Sequence, residues 1–162
     1  MKIILISGDG QGAGKTTLAR KLSEINLSLA DQIRHELKEE HPDVDFFDKS
    51  QAAKQAIVAG TGKSMRTLLI ERGQAARDKD PLHWVNRLVQ QIKDSVTTDA
   101  NDPTSAYTVT VDDIRYENEV ITIREAFSDV VHMHVCESLA TYEPQYENNL
   151  LSMIANYRIM RG

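Results

Sequence analysis

The first eighteen residues constrain the fold more than any other stretch of this chain. Residues 3–6 read Ile-Ile-Leu-Ile, an apolar run typical of a strand that is buried on both faces. A turn with four glycines follows, at positions 8, 10, 12 and 14, and Lys15, Thr16 and Thr17 lead from it into a helical pattern at Leu18. This order predicts a strand, a glycine turn and a helix whose N-terminus lies at the carboxyl end of the strand.

That arrangement is the phosphate-binding P-loop in the context it requires. Glycines allow positive φ and a close approach to a ligand, and the helix N-terminus favours an anion. The residues predicted to bind the nucleotide phosphates are Gly10, Gln11, Gly12, Ala13, Gly14, Lys15, Thr16 and Thr17. Lys15 would bridge the β- and γ-phosphates, and Thr16 would place its hydroxyl on Mg²⁺. Asp9 stands where the usual pattern has a glycine, and a glycine turn with a surface lysine is the alternative.

Composition limits the class of protein. With 162 residues the chain is expected to form a single domain, 1–162, and its 41% apolar and 27% charged content is ordinary for a globular protein. The net charge of −5 argues against a nucleic-acid partner. A lone cysteine, Cys136, fits a reducing compartment. The start lacks the apolar region of a signal peptide, and no apolar run approaches the roughly 20 residues of a membrane span, so we expect a cytoplasmic protein without a membrane partner.

Strands and helices are predicted to alternate along the chain. The patterns indicate strands over 2–7, 25–29, 107–112 and 130–135, and helices over 14–24, 30–41, 50–58, 64–77, 81–95, 117–127 and 150–157. Such alternation implies a three-layer α/β sandwich with a mostly parallel sheet, in which ligands bind at the carboxyl ends of the strands. Residues 60–64, Gly-Thr-Gly-Lys-Ser, resemble the end of a P-loop, but no strand precedes them, so we interpret them as a turn entering a helix capped by Ser64.

Polar residues follow the strand at 107–112 and recur in the middle of the chain. Asp112 and Asp113 point to opposite faces of a strand, and we predict that Asp113 acts through Mg²⁺ while Arg115 clamps a phosphate. Arg66 and Arg77 are eleven residues apart, about three helical turns, and could lie on one face; a solvated helix face is the alternative.

Three ring-bearing residues need an interpretation. Trp84, the single tryptophan, either stacks on a base or packs in the core. His132 and His134 share one face of a strand without metal-ligand spacing, so we expect them to be structural.

Several segments, taken in order, resemble one family. They are Leu29-Ala-Asp-Gln-Ile-Arg34, Arg66-Thr-Leu-Leu-Ile-Glu-Arg-Gly-Gln-Ala-Ala-Arg77, Asp80-Pro-Leu-His-Trp-Val85 and Val111-Asp-Asp-Ile-Arg-Tyr-Glu-Asn-Glu119. With the P-loop, this set resembles the deoxynucleoside monophosphate kinases of bacteriophages, and animal phosphomevalonate kinase is similar as a distant cousin. The resemblance covers about residues 2–135.

The resemblance implies a P-loop NTPase fold of the nucleoside monophosphate kinase type and ATP-dependent phosphorylation of a (deoxy)nucleoside monophosphate with Mg²⁺. It implies an acceptor site formed by Asp31, Arg66, Gln74, Arg77, Trp84, Asp113 and Arg115, with Asn118 and Glu119 nearby. Catalytic roles would fall to Lys15, Arg66, Arg77, Asp113 and Arg115, and metal binding to Thr16 and Asp113. A phage-encoded protein would work in the host cytoplasm, and a homodimer is left open.

Two other functions stay open. One is a kinase for another small molecule, of the dephospho-coenzyme A or phosphomevalonate type, and the other is a non-catalytic nucleotide-binding regulator. A GTPase is disfavoured, since the chain has no Asn-Lys-x-Asp motif. Residues 137–149 are the predicted lid, and the mobile arginine over the transferring group is expected to be Arg115, Arg124, Arg158 or Arg161.

Overall fold

The computed structural model describes residues 1–8, 14–98, 107–136 and 154–160. The strands are β1 (Lys2–Gly8), β2 (Ile25–Ser28), β3 (Thr108–Asp112), β4 (Val130–Cys136) and β5 (Tyr157–Met160). The helices are α1 (Lys15–Leu22), α2 (Leu29–Glu40), α3 (Gln51–Gln55), α4 (Met65–Lys79), α5 (His83–Thr98) and α6 (Glu117–Ala126). The predicted alternation of strands and helices is therefore present.

All five strands form one parallel sheet in the order β2-β3-β1-β4-β5. The central strand β1 pairs with β3, where Leu5 lies opposite Val111, and with β4, where Leu5 lies opposite His132. The apolar run of β1 is buried on both faces, as a central parallel strand must be. The predicted α/β fold with a parallel sheet flanked by helices is confirmed.

Alternate residues of β1 face two different helical layers. Ile3 and Leu5 pack in the larger core with residues of α2, α4, α5 and α6. Ile4 and Ile6 pack against Ala19 of α1 on the opposite face. The sheet therefore has helices on both sides and forms the middle of three layers.

The connections leaving β1 and β3 run in opposite directions. The chain leaves β1 through α1 and goes to β2 on one side, whereas it leaves β3 through α6 and goes to β4 on the other side. A parallel sheet has its ligand crevice where the connections that leave two adjacent strands run in opposite directions. The topology thus places the crevice beyond Gly8 and Asp112, at the carboxyl ends of these two adjacent strands.

The helices follow the apolar pattern closely. In α5 the apolar residues that recur at helical spacing are buried, with Val85 at 1% exposure, Leu88 at 0% and Ile92 at 1%. Regular α5 begins at His83 rather than Pro81, but the Asp80 side chain accepts a hydrogen bond from the Leu82 backbone N–H at 2.9 Å, as an N-cap residue does. Among the described residues, no helix combines the length and the apolar character needed to cross a bilayer.

Two other sequence predictions have different outcomes. The turn at 60–64 does enter α4: Gly60 and Gly62 have φ of 79° and 65°, and Ser64 Oγ accepts a hydrogen bond from the Thr67 N–H at 3.2 Å. The helix predicted over 150–157 is wrong at its end, because Tyr157 begins strand β5. This edge strand is short and mostly exposed, so its sequence carries little apolar alternation. Of the rest of the predicted helix, Ile154 is helical, Ala155 and Asn156 are not, and 150–153 lies outside the described residues.

Candidate functional site

The end of β1 lies in a tight space that only glycine fits. A Cβ at Gly8 would stand 2.8 Å from the backbone oxygen of Val135 in β4 and 3.3 Å from the aliphatic carbons of Lys15. The Lys15 side chain therefore runs across the end of the strand. The backbone oxygen of Val135 on one side and the Lys15 side chain on the other explain why position 8 needs to be glycine.

The glycine turn meets the first helix at Gly14. Gly14 has φ 89°, a conformation that residues with a Cβ rarely adopt, and its carbonyl accepts the Leu18 N–H at 2.9 Å. Lys15 starts α1 directly after it, and Thr17 is exposed. The predicted phosphate-binding residues Gly10, Gln11, Gly12 and Ala13 lie outside the described residues, as does Asp9.

One hydrogen bond joins the start of α1 to the end of β3. Thr16 Oγ1 donates to Asp112 Oδ2 at 2.8 Å, and Asp112 is only 8% exposed. The sequence pattern predicted that Thr16 and Asp113 hold the metal, but the structure brings Thr16 to Asp112. The reason is register: Asp112 still belongs to the strand and points to the α1 face, whereas the chain turns away at Asp113.

A hydroxyl and a carboxylate oxygen suit Mg²⁺, which prefers hard oxygen ligands. The described part of the chain contains no group of three His, Cys, Asp or Glu side chains that could hold a metal alone. Mg²⁺ at a phosphate site needs only one or two carboxylates, since substrate phosphates and water supply the other ligands. The Thr16–Asp112 pair therefore fits this ion.

Residues 113–116 form a turn across the crevice. Asp113 has φ 66°, the one positive value for a non-glycine residue in the described ranges. Its carboxylate accepts from Arg115 Nε at 2.9 Å and raises the pKa of Arg115. The Ile114 N–H donates to the Ile6 carbonyl at 3.4 Å, so the turn lies against the carboxyl end of β1. The predicted residues Asp113 and Arg115 are therefore near Thr16 and Asp112.

Arg77 reaches the same turn from α4. Its Nη2 lies 3.6 Å from Glu119 Oε1, and its guanidinium carbon lies 5.1 Å from the centre of the Tyr116 ring. The side chain passes close to Gly73, where an added Cβ would stand 3.3 Å from Arg77 Nη1. Because Gly73, one turn earlier in α4, has no side chain, the Arg77 guanidinium can occupy this position.

Glu119 is a buried carboxylate at the start of α6. It is 2% exposed, and its Oε2 accepts the backbone N–H groups of Arg115 at 2.9 Å and Tyr116 at 3.1 Å. Burial raises the pKa of Glu119 above its usual value, and the Arg115 N–H and the Arg77 guanidinium offset this only in part. The resemblance put Glu119 near the site without a role; a glutamate three residues into a predicted helix was the available signal.

The structure does not connect Arg66 or Gln74 with this cluster. Arg66 is exposed in the first turn of α4, and eleven residues of continuous helix place its Cα about 16 Å from that of Arg77. Gln74 is exposed and donates to Asp78 at 2.7 Å. The expectation that Arg66 and Arg77 hold one phosphate together has no support in this geometry, because the helix keeps their backbones apart.

Asp31 lies three residues beyond the end of β2, the strand that pairs with β3. Its Oδ1 accepts from Arg34 Nη1 at 2.6 Å and is 3.8 Å from Lys49 Nζ. Ser28, the last residue of β2, pairs with Asp112. Asp31 is thus at the correct edge of the sheet, but its described contacts are to cations of its own region.

Trp84 is a core residue, the second of its two predicted alternatives. Its ring is 1% exposed, and Nε1 donates to the Gly73 carbonyl at 3.0 Å. The indole therefore links α5 to α4 at Gly73, one turn before Arg77. Stacking on a base would require this hydrogen bond and the surrounding core to open.

The two histidines of β4 form a buried network with the end of β1. Ser7 Oγ lies 2.7 Å from His132 Nε2 and 2.8 Å from His134 Nδ1, and all three residues are 0% exposed. The expectation that His132 and His134 are structural agrees with this position. Burial, with nearby Arg124 and His134, lowers the pKa of His132 to about 4.

The predicted lid, residues 137–149, lies outside the described residues, as does Arg161. Arg124 donates to the Ile154 carbonyl at 3.1 Å and to Asn156 Oδ1 at 2.9 Å, so here it holds the segment that leads into β5. Arg158 lies within β5. Of the four arginines predicted to cover the transferring group, Arg115 is the one that the structure places in the crevice among the described residues.

Comparisons with known proteins add little to this geometry. No protein-family model matches the chain, and no curated protein matches it. Among solved structures, the crystal structure of TT1252 from Thermus thermophilus superposes with a TM-score of 0.46 at 16% sequence identity, covering 99% of this chain and 88% of that chain. A superposition this loose supports no functional comparison.

Proposed function

We propose that this protein is a P-loop kinase that transfers the γ-phosphoryl group of ATP to the phosphate of a (deoxy)nucleoside monophosphate. The observation that carries the proposal is the Thr16–Asp112 hydrogen bond of 2.8 Å, at the carboxyl ends of two adjacent parallel strands. A helix N-terminus after a left-handed glycine supplies the anion site beside it. The resemblance to phage deoxynucleoside monophosphate kinases names the acceptor class.

The donor side of the reaction depends on α1 and β3. Lys15 and the amides at the start of α1 would bind the donor phosphates, and Thr16 and Asp112 would hold Mg²⁺. Bound there, the ion would neutralise charge on the phosphate oxygens. Burial of Asp112 at 8% exposure keeps its carboxylate directed at Thr16 rather than at bulk water.

The acceptor side depends on Arg77 and Arg115. The two guanidinium groups come from α4 and from the turn after β3, and both contact residues 113–119. Arginine binds phosphate monoesters through two parallel N–H donors. An oxygen of the acceptor phosphate forms a bond to the γ-phosphorus, the bond from that phosphorus to the β–γ bridging oxygen breaks, and ADP leaves with the bonding electrons. Positioning and charge neutralisation supply the catalysis, so no side chain need form a covalent bond.

The test is ADP release from ATP and Mg²⁺ in the presence of single acceptors: the common dNMPs and NMPs, dephospho-coenzyme A and phosphomevalonate. Release stimulated by one or a few dNMPs or NMPs supports the proposal and identifies the acceptor. Stimulation by dephospho-coenzyme A or phosphomevalonate alone would indicate a kinase for another small molecule instead of a nucleotide kinase. Nucleotide binding without turnover on any acceptor would favour the regulator.

Variants check the donor site. Lys15→Ala should lower kcat about 100-fold or more, the usual loss when a preorganised phosphate contact is removed. Lys21→Ala, a change of the same kind on the exposed end of α1, is the matched control and should keep wild-type activity. Asp112→Asn should lose activity at low Mg²⁺ more steeply than Asp113→Asn. A steeper loss in Asp113→Asn would indicate that Asp113, and not Asp112, binds the metal.

A further inference from the structure

We propose that Glu119 is a positioning residue that holds the guanidinium of Arg77 and the backbone of Arg115 at one point, so that together they bind a phosphate monoester dianion. This rests on the proposed function and assigns to its acceptor site a residue that does not itself touch substrate. One carboxylate serves both arginines: Oε2 accepts the Arg115 N–H at 2.9 Å, and Oε1 faces Arg77 Nη2 at 3.6 Å.

The carboxylate is well fixed. Oε2 accepts a second backbone N–H, from Tyr116 at 3.1 Å, and the residue is 2% exposed at the start of α6. A buried acceptor with two donors on one oxygen cannot rotate without leaving those donors unpaired. The position of Oε1, and with it the charge that attracts Arg77, therefore follows from the fold of residues 115–119.

Arg77 has two further neighbours and makes no side-chain hydrogen bond within the described part of the chain. The Tyr116 ring lies under the guanidinium, and Gly73 leaves room for Nη1. At 3.6 Å the contact with Glu119 is an ion pair that is longer than a hydrogen bond. Because a guanidinium has five N–H donors in a rigid fork, Arg77 can keep Glu119 as its neighbour and still present a pair of donors to a phosphate.

The presence of two guanidinium groups fits the same ligand class. The side chains of Arg77 and Arg115 face the carboxylates of Glu119 and Asp113, so this cluster of four groups is close to neutral without ligand. A monophosphate dianion would add two negative charges to this neutral cluster, so its binding would depend on the directed N–H donors of the two arginines rather than on net charge. Lys15 and the helix N-terminus would receive the donor. A neutral acceptor such as an alcohol would find no complementary role for two arginines.

The experiment compares Glu119→Gln with Glu117→Gln in the full chain, using the acceptor found in the panel. The new amide oxygen can take the two backbone N–H groups, so α6 should still start correctly, while the charge opposite Arg77 is lost. Glu117 lies in the same helix turn and has no ion-pair partner among the described residues. We expect kcat/KM for the acceptor to fall about tenfold in Glu119→Gln, as when a charge-assisted contact is lost, with KM for ATP unchanged. Glu117→Gln should match wild type.

A double variant separates positioning from a direct effect. If Glu119 acts through Arg77, adding Glu119→Gln to Arg77→Met should cause little further loss in kcat/KM. Fully additive losses would overturn the proposal. So would a lower acceptor KM with unchanged kcat in Glu119→Gln, because Glu119 would then be only a competing negative charge. Wild-type chain that phosphorylates no acceptor overturns the proposed function itself, whereas active wild type with unaffected Glu119→Gln overturns the role of Glu119 alone.

Discussion

His132 should make the folded protein sensitive to mild acid. The imidazole is fully buried in β4 with Nε2 2.7 Å from Ser7 Oγ, and burial together with Arg124 and His134 lowers its pKa from 6.5 to about 4; the backbone carbonyl of Ile154 opposes the shift. In the unfolded chain the same group returns to about 6.5. Between these two pKa values the unfolded state binds a proton that the folded state does not, so stability falls as the pH is lowered through this window.

The size of the effect follows from the gap in pKa. A fall from 6.5 to about 4 spans roughly 2.5 pKa units. At 1.36 kcal/mol per unit, this is about 3 kcal/mol of unfolding free energy, present in full above pH 6.5 and lost by about pH 4. Since small domains have only about 5–15 kcal/mol of stability, such a loss is readily measurable.

The assay is urea unfolding followed by circular dichroism, at half-unit steps from pH 7.5 to pH 4. Wild type is compared with His132→Gln, whose amide can still contact Ser7 but does not titrate. The other acidic and basic groups contribute equally to both proteins, so the difference between the two curves isolates His132. His35→Gln, at an exposed histidine, is the control and should keep the wild-type slope.

The expected result is a difference between wild type and His132→Gln that changes by about 3 kcal/mol between pH 6.5 and pH 4. Parallel curves would refute the reasoning, because they would show that His132 keeps its ordinary pKa or takes up a proton without penalty in the folded protein.

Substitutions at three positions test the packing and the backbone strain around the site. Gly8→Ala should lower the unfolding free energy by about 1–3 kcal/mol, because the new Cβ would meet the Val135 carbonyl at 2.8 Å; an unchanged urea midpoint would show that β4 moves aside. Gly73→Ala should change stability by less than about 1 kcal/mol, since the helix preference of alanine offsets the tight contact of its Cβ with Ile33 Cδ1 at 3.0 Å. It should still weaken acceptor binding by displacing Arg77, whose Nη1 lies 3.3 Å from the new Cβ; equal KM values would contradict this. Asp113→Ala should be about 1 kcal/mol less stable than Asp113→Asn in urea, because asparagine tolerates φ 66° better than alanine; equal stabilities would count against strain at this turn.

Much of the fold could be predicted because its signals are local. The continuous apolar run of β1 indicates a central parallel strand, and the spacing of Val85, Leu88 and Ile92 indicates the buried face of α5. Strand β5 could not be predicted in the same way, because three of its four residues are exposed and its place depends on pairing with β4.

The candidate site shows the same division between local and distant information. The P-loop could be proposed from adjacent residues. The choice of Asp112 over Asp113 required knowledge of where β3 ends and which of its faces meets α1, and neither follows from two consecutive aspartates. The separation of Arg66 from Arg77 follows from helix length alone, but the partner of Arg77 does not, since Glu119 is forty-two positions away in sequence.

The position of β1 at the centre of the sheet bears on how the chain folds during synthesis. Leu5 pairs with Val111 and His132, so β1 has none of its neighbours in the sheet until more than a hundred further residues have been made. At about 5–20 residues per second, this means a wait of roughly 5–20 seconds. During that time Ile3 to Ile6 are an unpaired apolar segment, a common starting point for aggregation.

The intervening helices α2, α4 and α5 contact one another and can form earlier than the sheet, so they can cover one face of β1 before its partner strands exist. A nascent chain halted before β4 would still lack the Val135 backbone beside Gly8, and β1 would keep an open edge.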